Sequence, residues 1–310
     1  MEKPSKQELV EHSAYYKDDT DFWAYARLIQ SKWREKKEYP IGKSEKGTTY
    51  GNYIEIQYAK NNGSNFLTKK IWETAKIELE KAKITKALFD EYRFLCNLLT
   101  SQTMCFNLFA EFIGRENMLL DIFNELKPNM MDKIINIQFE YSPGRGDKKY
   151  LGDHTAFDVF IEYEKDHKNS FWGIEAKYVE KLGEESIKTA DDNYKRHMQY
   201  KDVTENCGLF KSGVIDEIRK PPYSQIWRDH LLSISLKYGE GKKYDNGYFV
   251  YLYPYNNLEC RSGIKNYIKY LKNPESSIFE IYVEDLIKVM YKNINEEWVK
   301  ELFERYIKDL

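Results

Sequence analysis

Residues 157–180 read FDVFIEYEKDHKNSFWGIEAKYVE, in which two apolar runs flank a polar stretch at residues 164–170. Apolar runs of this length, rich in aromatic and β-branched residues, are typical of buried strands. The Lys, Asp, His and Asn residues between them favour a connecting loop. The segment therefore predicts a β-hairpin near the middle of the chain.

Three charged side chains interrupt this apolar hairpin: Asp158 on the first strand, and Glu175 and Lys177 on the second. Residues two apart on a strand project from one face, so Glu175 and Lys177 point the same way. Antiparallel pairing can bring Asp158 beside Glu175. Two carboxylates can hold a divalent cation and an ammonium can reach a phosphate or a water, as in a metal-dependent phosphodiesterase. A structural ion pair is the alternative that these residues leave open.

Further strands are predicted on both sides of the hairpin. The sequence IINIQFEY alternates, which places Ile135, Ile137 and Phe139 on one face. After the hairpin, GYFVYLY forms an apolar run that Pro254 ends. The predicted strands are residues 134–141, 156–163, 171–179 and 247–253.

The first 90 residues are predicted to form a mainly helical subdomain, and residues 91–310 to form the core with C-terminal helices. Within the subdomain, residues 53–58 are expected to be a strand and Thr68 the N-cap of the next helix. The apolar stretch at residues 91–114 predicts one long helix. Helices are also expected around residues 262–272, 284–292 and 296–308.

The amino-acid composition limits the classes of protein to which the chain can belong. The 310 residues are 42% hydrophobic and 32% charged, a globular balance, and no apolar run approaches the roughly 20 residues of a membrane span. The N-terminal sequence MEKPSKQELVEH has no apolar region of the signal-peptide kind, so we expect a cytoplasmic protein. A net charge of −2 gives no global attraction to a polyanion, but local basic patches and a bound cation could still bring phosphate close.

The order of the predicted elements resembles a known fold. A helix, a strand, a hairpin with Asp158 and GIEAK, a helix and a fourth strand are similar to the restriction-endonuclease-like core of the PD-(D/E)XK nuclease superfamily. RLIQSKWREKKEYPIG, YGNYI, NFLT, LLTSQTMCFNLF, IEAKYVE and YSQIWRDHLL together resemble a prokaryotic family of predicted restriction endonucleases. The resemblance spans residues 27–255. It implies an α/β fold with a central mixed sheet of four to five strands, flanked by helices, and a mainly helical N-terminal extension.

The resemblance assigns roles residue by residue. Asp158 matches the first motif carboxylate, although Phe157 stands where the superfamily has its name-giving proline. Glu175 matches the second carboxylate and Lys177 the lysine. The backbone carbonyl of Ala176 is implied as a further metal ligand.

A helix beside these strands carries two more candidates. Gln225 matches a glutamine that superfamily members often place on this helix. Arg228 lies three residues later, on the same helical face, where it could contact phosphate or orient a strand. A solvated helix face is the alternative for this pair.

A third acidic ligand is left open between Glu111 and Glu140. Some superfamily members use an acidic residue from the first helix, but Glu111 could equally mark an exposed helix end. Hard oxygen ligands point to Mg²⁺, with Mn²⁺ as a substitute.

The predicted activity is metal-dependent endonucleolytic hydrolysis of DNA, with double-stranded DNA as the partner and a restriction or defence role. Basic segments at residues 144–149 and 194–201 could contact the phosphate backbone, or could be solvated surface. A homodimer would suit cleavage of both strands, and a restriction role implies a cognate methyltransferase. The alternatives are a repair, recombination or RNA-directed nuclease of the same fold, and a non-catalytic nucleic-acid-binding or scaffold protein.

Overall fold

The computed structural model describes residues 2–85, 89–183 and 185–307. The α-helices are α1 (Lys6–Glu11), α2 (Asp21–Lys36), α3 (Ile56–Asn62), α4 (Lys69–Thr85), α5 (Glu91–Cys96), α6 (Ser101–Phe109), α7 (Glu116–Leu126), α8 (Ile187–Arg196), α9 (Gln199–Asn206), α10 (Ile215–Ile218), α11 (Ser224–Ser235), α12 (Leu258–Tyr267), α13 (Val283–Asn293) and α14 (Glu297–Tyr306). Residue 308, the end of a predicted helix, lies outside the described residues. In this part of the chain, no helix is both long and apolar enough to cross a bilayer.

The strands form a small sheet and a large one. Strands are β1 (Ile41–Lys43), β2 (Thr49–Ile54), β3 (Lys133–Tyr141), β4 (Phe157–Lys165), β5 (Lys168–Ala176), β6 (Asn246–Tyr253) and β7 (Ile278–Tyr282). Strands β1 and β2 pair with each other, and the large sheet has the order β3-β4-β5-β6-β7. The first two pairings of the large sheet are antiparallel and the last two are parallel. The predicted mixed sheet of four to five strands is therefore confirmed, with β7 as its fifth strand.

The chain divides into two compact units. One unit contains residues 1–112, 178–180 and 283–310, and its described part is mainly helical apart from the small sheet. The other contains residues 113–177 and 181–282, with the large sheet. The predicted subdomain boundary at residue 90 stays a prediction.

The central hairpin closes through a tight turn. Asp166 and His167 have φ angles of 51° and 59°, the left-handed pair that a two-residue type I′ turn requires. The predicted seven-residue loop at 164–170 is therefore wrong, because most of these residues belong to β4 and β5. Val159 pairs with Ile174, which sets the register of the two strands. One step further along, this register brings Asp158 opposite Glu175.

Strand β3 departs from the predicted alternation. Ile134 is 3% exposed whereas Ile135 is 46% exposed, so the prediction that Ile135 shares a face with Ile137 and Phe139 is wrong. The pairing register shifts between Ile134 and Asn136. A bulge of this kind reverses which residues face the core. Ile137 and Phe139, beyond the bulge, are both buried, which agrees with the prediction that they share a face.

The helical unit corrects two further predictions. The strand predicted at residues 53–58 ends at Ile54, because the Glu55 carboxylate accepts hydrogen bonds from the next backbone N–H groups and caps α3. The single helix predicted over residues 91–114 is broken after α5. There Asn97 forms a bridge with Tyr53, and its side chain accepts a hydrogen bond from Asn52. Thr68 caps α4 as expected, since its Oγ1 accepts from the N–H of Ile71 at 3.1 Å.

An aromatic core holds the sheet unit together. Helix α11 contacts β6, and the buried residues between the elements include Trp227, Phe249 and Tyr251. Burial of such large side chains contributes roughly 2–3 kcal/mol each, before their ordering cost is subtracted. This packing fixes α11 beside the strands that carry the charged residues.

Candidate active site

The carboxyl end of β5 is held by its neighbours on both sides. Strand β5 pairs with β4 on one side and in parallel with β6 on the other. The pairing with β6 continues past the end of β5, because the N–H of Lys177 donates to the carbonyl of Leu252 at 2.9 Å. The backbone from Glu175 to Lys177 is therefore fixed by sheet hydrogen bonds.

The structure brings the predicted residues Asp158, Glu175, Ala176 and Lys177 together. Oδ2 of Asp158 accepts a hydrogen bond of 2.7 Å from the backbone N–H of Ala176. Oε1 of Glu175 accepts a hydrogen bond of 2.7 Å from Nζ of Lys177. The two carboxylates and the ammonium thus occupy one end of the hairpin, as the antiparallel register requires.

Gln225 joins the same cluster from α11. Its Nε2 donates to Oε1 of Glu175 at 3.0 Å, so this oxygen has two donors. Oε2 of Glu175 and Oδ1 of Asp158 have no hydrogen-bond donor among the described residues. Each carboxylate therefore has one oxygen held by the protein and one oxygen left for another ligand.

Burial and, after it, neighbouring negative charge determine the electrostatics of the cluster. Burial raises the pKa of Asp158 well above its ordinary value, and the negative charges of Glu175 and Glu140 raise it further. The Lys177 ammonium and the N–H of Ala176 lower it, but they do not offset the other causes. A cation at this position would relieve the repulsion.

Glu140 has an unusual backbone. Its φ angle is 50°, and it is the only residue of the described strands with φ in the left-handed region. The pairs Phe139–Val159 and Tyr141–Phe157 flank it, so Asp158 is its neighbour across the sheet. A left-handed non-glycine residue inside a strand is strained. The strain occurs beside the carboxylate cluster.

Two other candidate site residues, Arg228 and Glu111, pair with residues other than Asp158, Glu175 and Lys177. Nη1 of Arg228 donates to Oε1 of Glu185 at 2.6 Å. Glu111 belongs to the helical unit, where it accepts a hydrogen bond from Thr68 and lies 3.9 Å from the ammonium of Lys70. Glu111 is 8% exposed, so it does not mark an exposed helix end.

The site supplies two carboxylates that fit a hard divalent cation. Asp158 and Glu175 supply hard oxygens, the type of ligand that Mg²⁺ and Mn²⁺ prefer. Across residues 2–85, 89–183 and 185–307, no group of three His, Cys, Asp or Glu side chains is arranged to hold a metal ion. A third acidic ligand, whether Glu111 or Glu140, therefore stays a prediction.

The sequence analysis did not name Asp229 among the candidate site residues. This residue lies on α11, four positions after Gln225, and is 5% exposed. The signal was present, because Asp229 follows Gln225 at helical spacing within the apolar segment YSQIWRDHLL.

Comparison with known proteins agrees with this geometry. The family model of the PD-(D/E)XK nuclease superfamily matches residues 17–308. No curated protein and no solved structure matches the chain. Nucleases of this superfamily generally use divalent metal ions. Since the match extends over nearly the whole sequence, the chain belongs to the PD-(D/E)XK nuclease superfamily.

Proposed function

We propose that the protein is a metal-dependent endonuclease that hydrolyses phosphodiester bonds of double-stranded DNA, in a restriction or defence role. The observation that carries the proposal is the convergence of Asp158, Glu175 and Lys177 at the end of one hairpin in a member of a nuclease superfamily. Membership alone leaves the nucleic acid open. The hard-oxygen donor set supports Mg²⁺, with Mn²⁺ as a substitute.

Asp158 and Glu175 would hold the ion, and the backbone carbonyl of Ala176 would complete the protein ligands. When bound, the ion supplies Lewis acidity toward the scissile phosphate and the attacking water. The N–H of Ala176 fixes Asp158 through one oxygen and leaves the other for the ion. Gln225 orients Glu175 in the same manner. Such partners pre-organise the ligands, so that little rearrangement is needed when the ion arrives.

Lys177 would act on the reacting groups. Its ammonium lies 2.7 Å from Glu175, at the edge of the proposed ion site. In this position it can orient the attacking water and stabilise the additional negative charge of the pentavalent transition state. The water oxygen forms the new bond to phosphorus and releases a proton to solvent. The bond to the leaving sugar oxygen breaks, and this oxygen takes up a proton from solvent.

Two basic segments of the sheet unit support a nucleic-acid substrate. Residues 144–149 contain Arg145, Lys148 and Lys149, and residues 194–201 contain Lys195, Arg196 and Lys201. Cations at these positions would contact backbone phosphates, which position the substrate without reading its sequence. A homodimer would allow both DNA strands to be cut, and a cognate methyltransferase would protect the host sequence.

The experiment is a comparison of substrates. Supercoiled plasmid, single-stranded DNA and structured RNA are incubated with the protein in Mg²⁺ or Mn²⁺, with chelator as the control. Plasmid nicking and linearisation are expected. Exclusive cleavage of RNA would reject DNA as the substrate, and preference for single-stranded DNA would favour a repair or recombination enzyme.

A non-catalytic scaffold gives a different result. It would cut none of the three substrates, and calorimetry would find no binding of Mn²⁺ that depends on Asp158. The proposed enzyme binds Mn²⁺, and Asp158→Asn removes most of this binding.

A further inference from the structure

Asp229 is a buried carboxyl group whose structural role is unexplained by its contacts. Its side chain has no hydrogen bond or ion pair among the described residues, and Oδ2 is shielded from solvent. Burial of an unpaired carboxyl is unfavourable when it is neutral and more so when it is charged. The presence of such a destabilising group at a buried position requires an explanation other than the stability of the fold.

The position of Asp229 connects it with the active site. Residues four apart on a helix share a face, so Asp229 lies one turn beyond Gln225, which contacts Glu175. Burial raises the pKa of Asp229 and the charge of Glu175 raises it further, whereas Arg228 and Lys177 lower it. Gln225 and Lys177 both donate to Oε1 of Glu175, so Asp229 lies one helical turn beyond a residue that shares its acceptor with Lys177.

Both neighbouring cations, Arg228 and Lys177, have a carboxylate partner. Arg228 donates to Glu185 at 2.6 Å, and both side chains of this pair are largely buried. Lys177 donates to Oε1 of Glu175, an oxygen that also accepts from Gln225. A divalent ion on Glu175 would repel the Lys177 ammonium and weaken this hydrogen bond.

We infer that Asp229 is a positioning residue, which accepts the Lys177 ammonium when a divalent cation occupies the Glu175 carboxylate. The inference rests on the proposed function. A buried ammonium that leaves one carboxylate is costly unless a second acceptor is near. Asp229 provides this acceptor, and it holds Lys177 beside the scissile phosphate without binding the metal ion.

The test separates catalytic rate from binding. Asp229→Asn keeps the shape of the side chain and removes its charge. We expect kcat for plasmid cleavage to fall about 10–100-fold, the usual effect of removing a supporting partner. The KM for DNA and the affinity for Mn²⁺, measured by calorimetry, are expected to stay unchanged. Asp229→Glu, which restores the carboxylate, is expected to recover most of the rate.

Stability gives a second readout that does not require activity. Because the Asp229 side chain has no hydrogen-bond partner among the described residues, Asp229→Asn is expected to raise the midpoint of thermal unfolding. A purely structural residue would show the opposite shift. The matched control is Asp132→Asn, which removes a carboxylate paired with Lys165 near the opposite end of the hairpin and leaves kcat unchanged.

The outcomes distinguish the two proposals. A wild-type protein that cuts no nucleic acid contradicts the proposed function itself. If wild-type cuts and Asp229→Asn has the same kcat, only the role of Asp229 is overturned. A loss of Mn²⁺ affinity in Asp229→Asn would make Asp229 a metal ligand, and a lowered unfolding midpoint would make it structural. Either result overturns the positioning role.

Discussion

Nε2 of Gln225 lies 3.0 Å from Oε1 of Glu175, although 50 positions separate the two residues in the chain. The contact links the first turn of α11 to the end of β5. Aromatic packing between α11 and the sheet fixes the helix, so Glu175 is oriented by the core rather than by a loop. A site that is built on regular elements in this way holds its geometry closely.

Replacement of Gln225 should slow cleavage without abolishing it. Gln225→Ala leaves both carboxylates of the proposed metal site in place and removes one donor from Glu175. We expect a loss of about 10–100-fold in kcat, smaller than the loss in Asp158→Ala. Arg228→Ala should also be milder than Asp158→Ala. Gln57→Ala, on an exposed helix of the other unit, is the control. A loss from Gln225→Ala that equals that of Asp158→Ala would contradict a supporting role.

Glycine at position 140 should relieve backbone strain. The φ angle of 50° costs a non-glycine residue about 1–2 kcal/mol, and glycine's own entropic cost offsets part of this. Chemical denaturation should show that Glu140→Gly raises the free energy of unfolding by up to about 1 kcal/mol. Glu164→Gly on β4, whose φ lies outside the left-handed region, should lower it. Equal destabilisation by both variants would argue against strain at Glu140.

His230 should make the protein sensitive to acid. Burial lowers the pKa of His230 from 6.5 to about 3, with a smaller contribution from Lys237. Between these values the unfolded chain takes up a proton that the folded chain does not, so stability falls as the pH falls through this window. Within this window, His230 lowers the free energy of unfolding by about 1.4 kcal/mol for each unit by which the pH falls.

His230→Gln removes this titration and keeps a group that can hydrogen-bond Tyr267. Between pH 6 and pH 4 its free energy of unfolding should fall less steeply than that of the wild type. His167→Asn, at a histidine whose side chain is 99% exposed, provides the matched control variant. An identical pH slope in wild type and His230→Gln would show that His230 is not buried in the neutral form.

The basic segments should determine the salt dependence of DNA binding. Each phosphate contact contributes about 0.9 to the slope of log affinity against log salt for duplex DNA. Lys148→Ala with Lys149→Ala should therefore reduce the slope, as should Lys195→Ala with Arg196→Ala. Binding is measured in Ca²⁺ to prevent cleavage. Replacement of Lys46 and Lys81 serves as the control, and an unchanged slope in the test variants would assign these segments to solvated surface.

The hairpin and its charges were predictable because they depend on local pattern and pairing geometry. Asp158 and Glu175 stand opposite each other once two apolar strands pair with a short turn. The alternation predicted around Ile135 was wrong, because a bulge depends on the partner strand and cannot be read from the sequence pattern of one strand. Strand β7 was not identified, since the short segment IFEIY has helix-compatible sequence after it.

Side-chain partners in the interior could not be predicted from the sequence. Asn97 ends α5 because tertiary contacts with Asn52 and Tyr53 compete with the helix. Asp229 follows Gln225 at helical spacing in the sequence, but only the structure shows that it is buried without a hydrogen-bond partner among the described residues. Both features depend on which elements pack together, which local propensity does not encode.

The central claim is that Asp158, Glu175 and Lys177 form one metal-dependent hydrolytic site. The most direct measurement is the rate of plasmid cleavage in Mg²⁺ by the wild type and by Asp158→Ala, Glu175→Ala and Lys177→Ala, with folding checked by circular dichroism. We predict cleavage by the wild type and a loss of at least about 100-fold in each folded variant. Cleavage at the wild-type rate by all three variants would contradict the claim.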